Sequence, residues 1–417
     1  ILKSIIDKKK DNEYTHYFLL INSARENNFP KIIESYINSI KKNKNFVEIY
    51  KIFFNHLNTI KINDYSLLTS EEVKSGIAYA IQNNFIPIQD IKRIVQEILI
   101  CDIQKYLKEK NIDVFINKIN GLQSSEKNKE ISFILKKYIT HKNSNLLNIF
   151  LRETTITNHY LEMLLTIFRS FIFKNYHHKT KDLDGNKNIR SILLSIFLQN
   201  YLNSYIWLID DEEKSLIHET SKKIKDKINL KKNVNKSEFL LLGSYFNLKE
   251  EEIFLDYLSK KTRKENKEFY KEISKPLISL SENKELLKKI NIGKKISNKK
   301  SLEVESYYNK NFSIPWDKIS TVGEVRFLDF LKINISPIEL LGEKKFTDNP
   351  SILYVGCGSG RDALIINTIA NSEIDIIDLS IENLLYTQKK CSEHNIKNVE
   401  IYHLDFLDIK TLGKKYD

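Results

Sequence analysis

Apolar residues recur at helical spacing through the first 290 positions and give way to short apolar runs near residue 350. Ile91, Ile94, Val95 and Ile98 fall on one face of a 3.6-residue period. Thr69-Ser-Glu-Glu72 reads as a capping box, with Leu68 and Val73 spaced as its hydrophobic staple. Asn158 is placed to cap a run from Tyr160 to Phe168. Leu193, Leu194, Phe197 and Tyr201 continue an apolar stripe before Trp207. Glycine is rare, and no proline falls between Pro87 and Pro276, so little interrupts the pattern. Residues 1–290 are therefore expected to be helical throughout.

After residue 350 the period changes. Ile352 to Val355 read as a buried strand, followed at once by Gly356, Gly358 and Gly360. Asp362 to Ala370 read as a helix, and Glu373 to Asp378 as a second strand. Ile381 to His394 read as a second helix, with Leu384 and Leu385 inward and Gln388, Lys389 and Lys390 outward. Asn398 to Asp405 read as a third strand, followed by Phe406. Three strands joined by helices predict a parallel sheet in order 3-2-1, with right-handed crossovers that put both helices on one face.

The chemistry follows from that placement. Strand, glycine loop and helix form the phosphate- and nucleotide-binding turn of a doubly wound sheet. Glycine lets the backbone turn tightly and lets a ligand approach without a Cβ in the way. The helix N-terminus aims free N–H groups at the ligand. Asp378 stands about 20 residues past the first glycine, where an acid accepts hydrogen bonds from ribose hydroxyls. Asp405 with aromatic Phe406 is placed to bind and pack an adenine ring. A NAD site is the nearest competitor, but it prefers G-x-G-x-x-G, and position 361 is Arg. An ordinary strand–loop–helix turn with chance glycines is the plainer alternative.

Val355-Gly-Cys-Gly-Ser-Gly360, Asp378 and Asp405, in that order, resemble the first half of a class I S-adenosylmethionine-dependent methyltransferase. The resemblance implies a Rossmann-like α/β domain that binds S-adenosyl-L-methionine. Its cofactor contacts would come from Gly356, Cys357, Gly358, Ser359, Gly360, Asp378, Leu379, Asp405 and Phe406. Cysteine is common inside this loop in the family, which implies a packing role for Cys357. Many members carry an acid two residues before the first glycine; Tyr354 stands there. Tyr416-Asp417 resembles the opening of the family's fourth strand. Strands four to seven and the substrate-binding motif IV are thus expected beyond residue 417, and the domain is expected to be truncated. Such a fragment of a longer protein should bind cofactor poorly and catalyse nothing, with its first strand left as an edge.

Two further stretches resemble known segments. Asn27 to Ile40 looks like the second helix of a tetratricopeptide repeat, and Lys41 to Tyr50 like the turn and start of the next. The usual turn proline is absent, and a plain helical hairpin is the alternative. Thr155 to Leu165, Phe197 to Asn203 and Asp211 to Glu213 resemble a helical segment found between such repeats and a methyltransferase domain in some bacterial proteins. So does Val304-Glu-Ser-Tyr-Tyr308 with Ser313-Ile-Pro-Trp316. That pre-motif segment implies a cap over the cofactor, with Tyr307, Tyr308 and Trp316 on the substrate side. Ordinary packing of the linker onto the sheet is the competing reading. The expected organisation is multi-domain: TPR-like helices over 1–60, a helical domain over 61–290, a connector and cap over 291–348, and the half methyltransferase domain over 349–417. The methyl acceptor is left open, and a protein bound by the helices is the partner expected. The alternative is a helical scaffold with a non-catalytic methyltransferase-like domain.

Composition narrows the partners. The chain has 417 residues and a net charge of +12, but its cations are mostly lysines mixed with acids. Arginine, the residue suited to bidentate phosphate and base contacts, is sparse. Lys8 to Lys10 and the lysines between 294 and 300 read as solvent-facing runs, so nucleic acid is not the expected partner. Cys101, Cys357 and Cys391 are few and widely spaced, which fits a reducing cytoplasm and no disulfide framework. No C-x-x-C occurs and His177-His178 has no thiols or acids at ligand spacing, so a metal is not expected. No apolar run reaches membrane-spanning length, and no signal peptide is visible.

Overall fold

The computed structural model describes residues 12–310 except 63, 140–143, 179–182, 184, 204, 266–268, 270–272 and 274–283. It also describes Ser313, Trp316, Ile319 and residues 350–417 except 371. The Lys8–Lys10 run, Ile314, Pro315 and most of the expected connector lie outside the described residues. The chain divides into two units, residues 1–277 and 278–417.

The first unit is helical. Its helices are α1 (Glu13–Arg25), α2 (Phe29–Lys42), α3 (Val47–Thr59), α4 (Glu71–Gln82), α5 (Ile88–Gln104), α6 (Ile112–Gly121) and α7 (Ser124–Ile139). They continue as α8 (Ser144–Glu153), α9 (His159–Tyr176), α10 (Lys187–Leu202), α11 (Asp211–Asn229), α12 (Lys236–Gly243) and α13 (Glu252–Glu265). Among the described residues no strand precedes Asn291. The asparagine-rich composition has a local use here. Asn12, Asn28, Asn111, Asn158 and Asn186 each accept a backbone N–H of the first turn of the helix they precede. One cap differs from the expectation. Ser70, not Thr69, caps α4, its Oγ accepting the Val73 N–H at 3.3 Å. A 3₁₀ turn at Tyr65–Leu68 arrives first, and the Thr69 hydroxyl closes it by donating to the Ser66 carbonyl. Leu68 and Val73 are both buried.

The core of this unit is aliphatic and aromatic, with Tyr36 stacked on Phe53 at 3.9 Å. Ile91, Ile94, Val95 and Ile98 are fully buried. Two buried polar groups are paired in ways that fix the packing. Gln96 accepts the N–H groups of Thr157 and Asn158 and donates to the Thr157 hydroxyl, fixing the entry to α9. Lys74 and Asp102 form a buried ion pair at 2.7 Å. Among the described residues no helix is long and apolar enough to cross a membrane.

The second unit runs α14 (Lys284–Leu287), β1 (Asn291–Ile292), α15 (Lys299–Lys310), β2 (Ser351–Val355), α16 (Arg361–Ala370), β3 (Glu373–Asp378), α17 (Ile381–Glu393) and β4 (Val399–His403). A 3₁₀ helix at Phe406–Leu412 follows. The sheet is parallel with order β1-β4-β3-β2, which contains the expected 3-2-1 arrangement of the three longer strands. β1 was not foreseen: two residues pairing with Tyr402 and His403 are too short for any periodic signal. β2 lies at the end of that order, and the Asp417 N–H donates to the Ser351 carbonyl at 2.9 Å.

α16 and α17 bury Leu364, Leu384 and Leu385 in one core with Ile374, Ile376 and Ile401. Asp375, between the two β3 isoleucines, faces the other way and is held by Lys414 at 2.8 Å and the Tyr416 hydroxyl at 2.7 Å. Lys390, expected outward, is buried. Its ammonium lies 5.4 Å from the Trp316 ring and 5.5 Å from the Tyr386 ring, and pairs with Glu393 at 2.8 Å. A cation held beside two aromatic rings and paired with a carboxylate explains the difference.

Candidate functional site

β2 delivers Val355 to the carboxyl end of the sheet, and the chain then turns through residues 356–360. Gly356, Gly358 and Gly360 have φ of 68°, 52° and 74°, the left-handed region that side chains avoid. The glycines differ in surroundings. A Cβ on Gly360 would lie 2.3 Å from Thr387 Oγ1 on α17, whereas one on Gly356 would meet nothing within 4 Å. Gly360 thus permits close packing of the loop on α17, and Gly356 leaves open space.

Asp378 ends β3 beside this loop. Its Oδ2 accepts the Gly358 N–H at 2.9 Å and its Oδ1 the Ser380 N–H at 2.7 Å. Burial pushes its carboxyl above the ordinary aspartate range, and the N–H groups of Ser380 and Gly358 oppose that. The same burial pushes the Cys357 thiol well up, and the Asp378 charge adds to it, so this cysteine is a poor nucleophile at neutral pH. A raised folded-state value has a definite sign. The folded unit holds this proton more tightly than the unfolded chain does. The Asp378 contribution to stability is full below the unfolded value and declines as pH rises through the folded one. Urea titrations of wild type and Asp378→Asn upward from pH 3.5 should therefore show a stability difference that changes with pH. A constant difference would mean that Asp378 is not desolvated in the fold.

A cavity of about 310 Å³ opens over the carboxyl ends of the strands. Val355, Gly356, Gly358, Ile377, Asp378 and Leu379 line it from the sheet side, with Asn383, Leu404 and Phe406 beyond them. Val304 and Tyr308 of α15, and Ser313, complete it. Val355, Phe406 and Tyr308 are 47%, 56% and 45% exposed, so the cavity presents large apolar surfaces. α15 is amphipathic in the reverse sense. Ser301, Glu305 and Asn309, four residues apart, face the body, while Leu302, Val304, Tyr307 and Tyr308 are exposed. Glu305 meets His403 Nε2 at 3.2 Å. Asn309 Oδ1 accepts the Ser380 hydroxyl at 2.9 Å and the Glu382 N–H at 3.4 Å. These polar contacts hold α15 against the loop that carries Asp378.

Of the residues singled out from sequence, Gly356, Gly358, Asp378, Leu379, Phe406 and Tyr308 line this one cavity. Cys357, Ser359 and Gly360 are outside its lining, in the part of the loop turned toward α17 and Trp316. Trp316 is buried. Its indole N–H donates to the Ser359 carbonyl and its backbone N–H to the Tyr386 hydroxyl, both at 2.8 Å, and its ring stacks on His394. That is packing of the linker, the competing reading of this residue. Asp405 is buried, caps the 3₁₀ helix by accepting the Leu407 N–H at 3.0 Å, and is not among the residues that line the cavity. Tyr307 is exposed, with its ring edge-on to Tyr308 and outside the cavity lining. Sequence reasoning did not single out Val304, Ser313, Val355, Ile377, Asn383 or Leu404 as site residues, and no local pattern marks them as sharing one cavity. Among the described residues no group of three or more His, Cys, Asp or Glu side chains is arranged to hold a metal ion. No family profile, curated protein or solved structure matches the chain.

Proposed function

We propose that this chain is an S-adenosylmethionine-dependent methyltransferase, with a Rossmann-like cofactor unit and a TPR-like helical unit that binds a protein substrate in the cytoplasm. One observation carries the reading. The glycine loop, the acid ending the second long strand and the aromatic after the third line a single cavity at the carboxyl ends of parallel strands. Ligands of open α/β sheets bind at that end. The residues present fit such a cofactor. Gly356 leaves the approach clear, and Val304, Tyr308, Val355 and Phe406 offer apolar faces to a ring. The cavity is near the lower bound of about 300 Å³ typical of small-molecule pockets.

S-adenosylmethionine supplies an already activated sulfonium methyl, so the chain's own work is positioning and exclusion of water. Asp378 orients the loop by accepting the Gly358 N–H and lines the cavity beside it. α15 covers the site.

Calorimetric titration of the natural protein with S-adenosylmethionine tests this, with NAD as the control. Saturable binding of the first alone is expected. Asp378→Ala should weaken it by about 1–3 kcal/mol, the scale of a lost charge-assisted hydrogen bond. Gly358→Val should abolish methyl transfer while circular dichroism reports intact helices. Full transfer by that variant would place the cofactor elsewhere.

A second reading has its own support. Tyr354, where the family usually has an acid, packs into the core of the unit, and both Asp378 oxygens already accept backbone N–H groups. These favour a helical scaffold whose methyltransferase-like unit is silent. Absence of cofactor binding by the natural protein would select it.

A further inference from the structure

The helical unit carries a second cavity, of about 480 Å³, between α6, α7, α9 and the start of α11. We infer that this cleft, with the loop at Ile206–Ile209 on its rim, is a docking site for an extended peptide segment of a partner protein. The loop is the first reason. Leu208 and Ile206 are 83% and 74% exposed, while Trp207 between them is buried. That alternation is the pattern of an extended chain presenting every second side chain outward. The loop is also held firmly. The Arg169 guanidinium stacks on the Trp207 ring at 4.5 Å and donates to the Leu208 carbonyl. Asn203 donates to the Ile206 carbonyl, and Asp210 begins α11 in a reciprocal capping box with Glu213. Apolar side chains displayed on a rigid support lose little freedom when covered, the property of an interface anchor.

The cleft gives the second reason. Its wall offers Asn120, Asn128 and Ser170 beside apolar Phe171 and Leu208, while Asn175 and Thr166 already donate to the Phe171 and Glu162 carbonyls. A carboxamide presents both a donor and an acceptor, the complement of a peptide unit. Charge gives the third. The lining sets Lys127 and Lys174 against Asp210, Glu212 and Glu213, and Lys174 is neutralised by Asp210 at 2.8 Å and Glu212 at 2.6 Å. A polyanion gains nothing there, despite the chain's net charge of +12. An extended peptide with apolar residues two apart, neutral or basic between them, fits. The peptide's role as methyl acceptor rests on the functional reading above; its docking does not.

Selection of a random peptide library on the whole protein, followed by fluorescence anisotropy of the enriched peptides, tests the inference. Enriched peptides should carry apolar residues two apart, and Leu208→Ser should weaken them about tenfold or more. Both rim residues are exposed, so Leu208→Ser and Ile206→Ser should keep the wild-type circular dichroism. Peptides with helical spacing, acidic peptides, equal binding by the variants, or no enrichment would overturn it. So would a wild-type dimer that Leu208→Ser dissociates, since the occupant would then be a second copy. Cofactor titration of Leu208→Ser separates the two readings: peptide binding without cofactor binding sinks only the enzyme, and the reverse sinks only the cleft.

Discussion

Gly360→Val should destabilise the α/β unit by about 2–5 kcal/mol and leave the helical unit unaffected. Two costs add. A side chain at φ 74° costs about 1–2 kcal/mol for the left-handed backbone. Its Cβ would also press to 2.3 Å from Thr387 Oγ1 and 2.8 Å from Thr387 Cβ, and overpacking of that kind costs about 1–3 kcal/mol. Thr387 is buried on α17 and its hydroxyl donates to the Asn383 carbonyl, so it has nowhere to retreat. The total is a large share of the roughly 5–15 kcal/mol that holds a domain folded. Gly356→Ala carries only the backbone cost of about 1–2 kcal/mol, because nothing crowds its Cβ. The two tryptophans make the test direct, since Trp207 reports the first unit and Trp316 the second. In a Trp207→Phe background, urea unfolding followed by Trp316 should show Gly360→Val far below wild type and Gly356→Ala between them. Equal midpoints for the two glycine variants would mean that Thr387 does not set the requirement at 360.

Asp102→Ala should cost the helical unit about 3 kcal/mol or more, the penalty for stranding a buried charge. The Lys74 side chain is 4% exposed and its ammonium lies 2.7 Å from Asp102 Oδ2. Glu71 also reaches Lys74, at 2.9 Å, but from the surface, where water screens it. That partner keeps the loss toward the lower end of the range for broken buried pairs. Lys105, on the other oxygen of Asp102 at 3.4 Å, is half-exposed and returns to solvent at little cost. Removing both charges is a different matter. Lys74→Met with Asp102→Leu leaves nothing uncompensated, and such replacements are often neutral or stabilising by about 1–4 kcal/mol. Guanidinium unfolding followed by Trp207 should therefore rank the double variant well above Asp102→Ala. A single variant within about 0.5 kcal/mol of wild type, the range of ordinary surface changes, would show that the pair is not desolvated.

Much of the local structure was legible because its causes are local. The face of Ile91, Ile94, Val95 and Ile98, the Asn158 cap and the strand at 373–378 follow from period, capping chemistry and alternation within a dozen residues. The glycine loop was legible for the same reason: three glycines after an apolar run have few other uses. What escaped was set by competition for the same group, from neighbours both near and distant in the chain. Thr69 lost the cap to Ser70 because a 3₁₀ turn claimed its hydroxyl. Lys390 went inside because Trp316, about 74 residues earlier, supplies a ring for its ammonium. β1 exists only because β4 offers an edge to pair with.

The candidate site divides along the same line. The sequence by itself determined a helical region followed by strand, glycine loop, helix and strand, and it picked out Gly356, Gly358, Asp378 and Phe406. Those are consequences of short-range sterics and periodicity. The tertiary structure alone decided that these residues share one cavity with Val304, Tyr308, Asn383 and Leu404. It decided that Asp378 spends both oxygens on backbone N–H groups, that Asp405 caps a turn, and that Trp316 braces the loop from behind. The physical reason is that a polar group's role depends on which partner reaches it first once the chain is packed. That competition sets partners two residues away, as for Asp405 and Leu407, against partners tens of residues away, as for Trp316 and Ser359, and no single local pattern records its outcome.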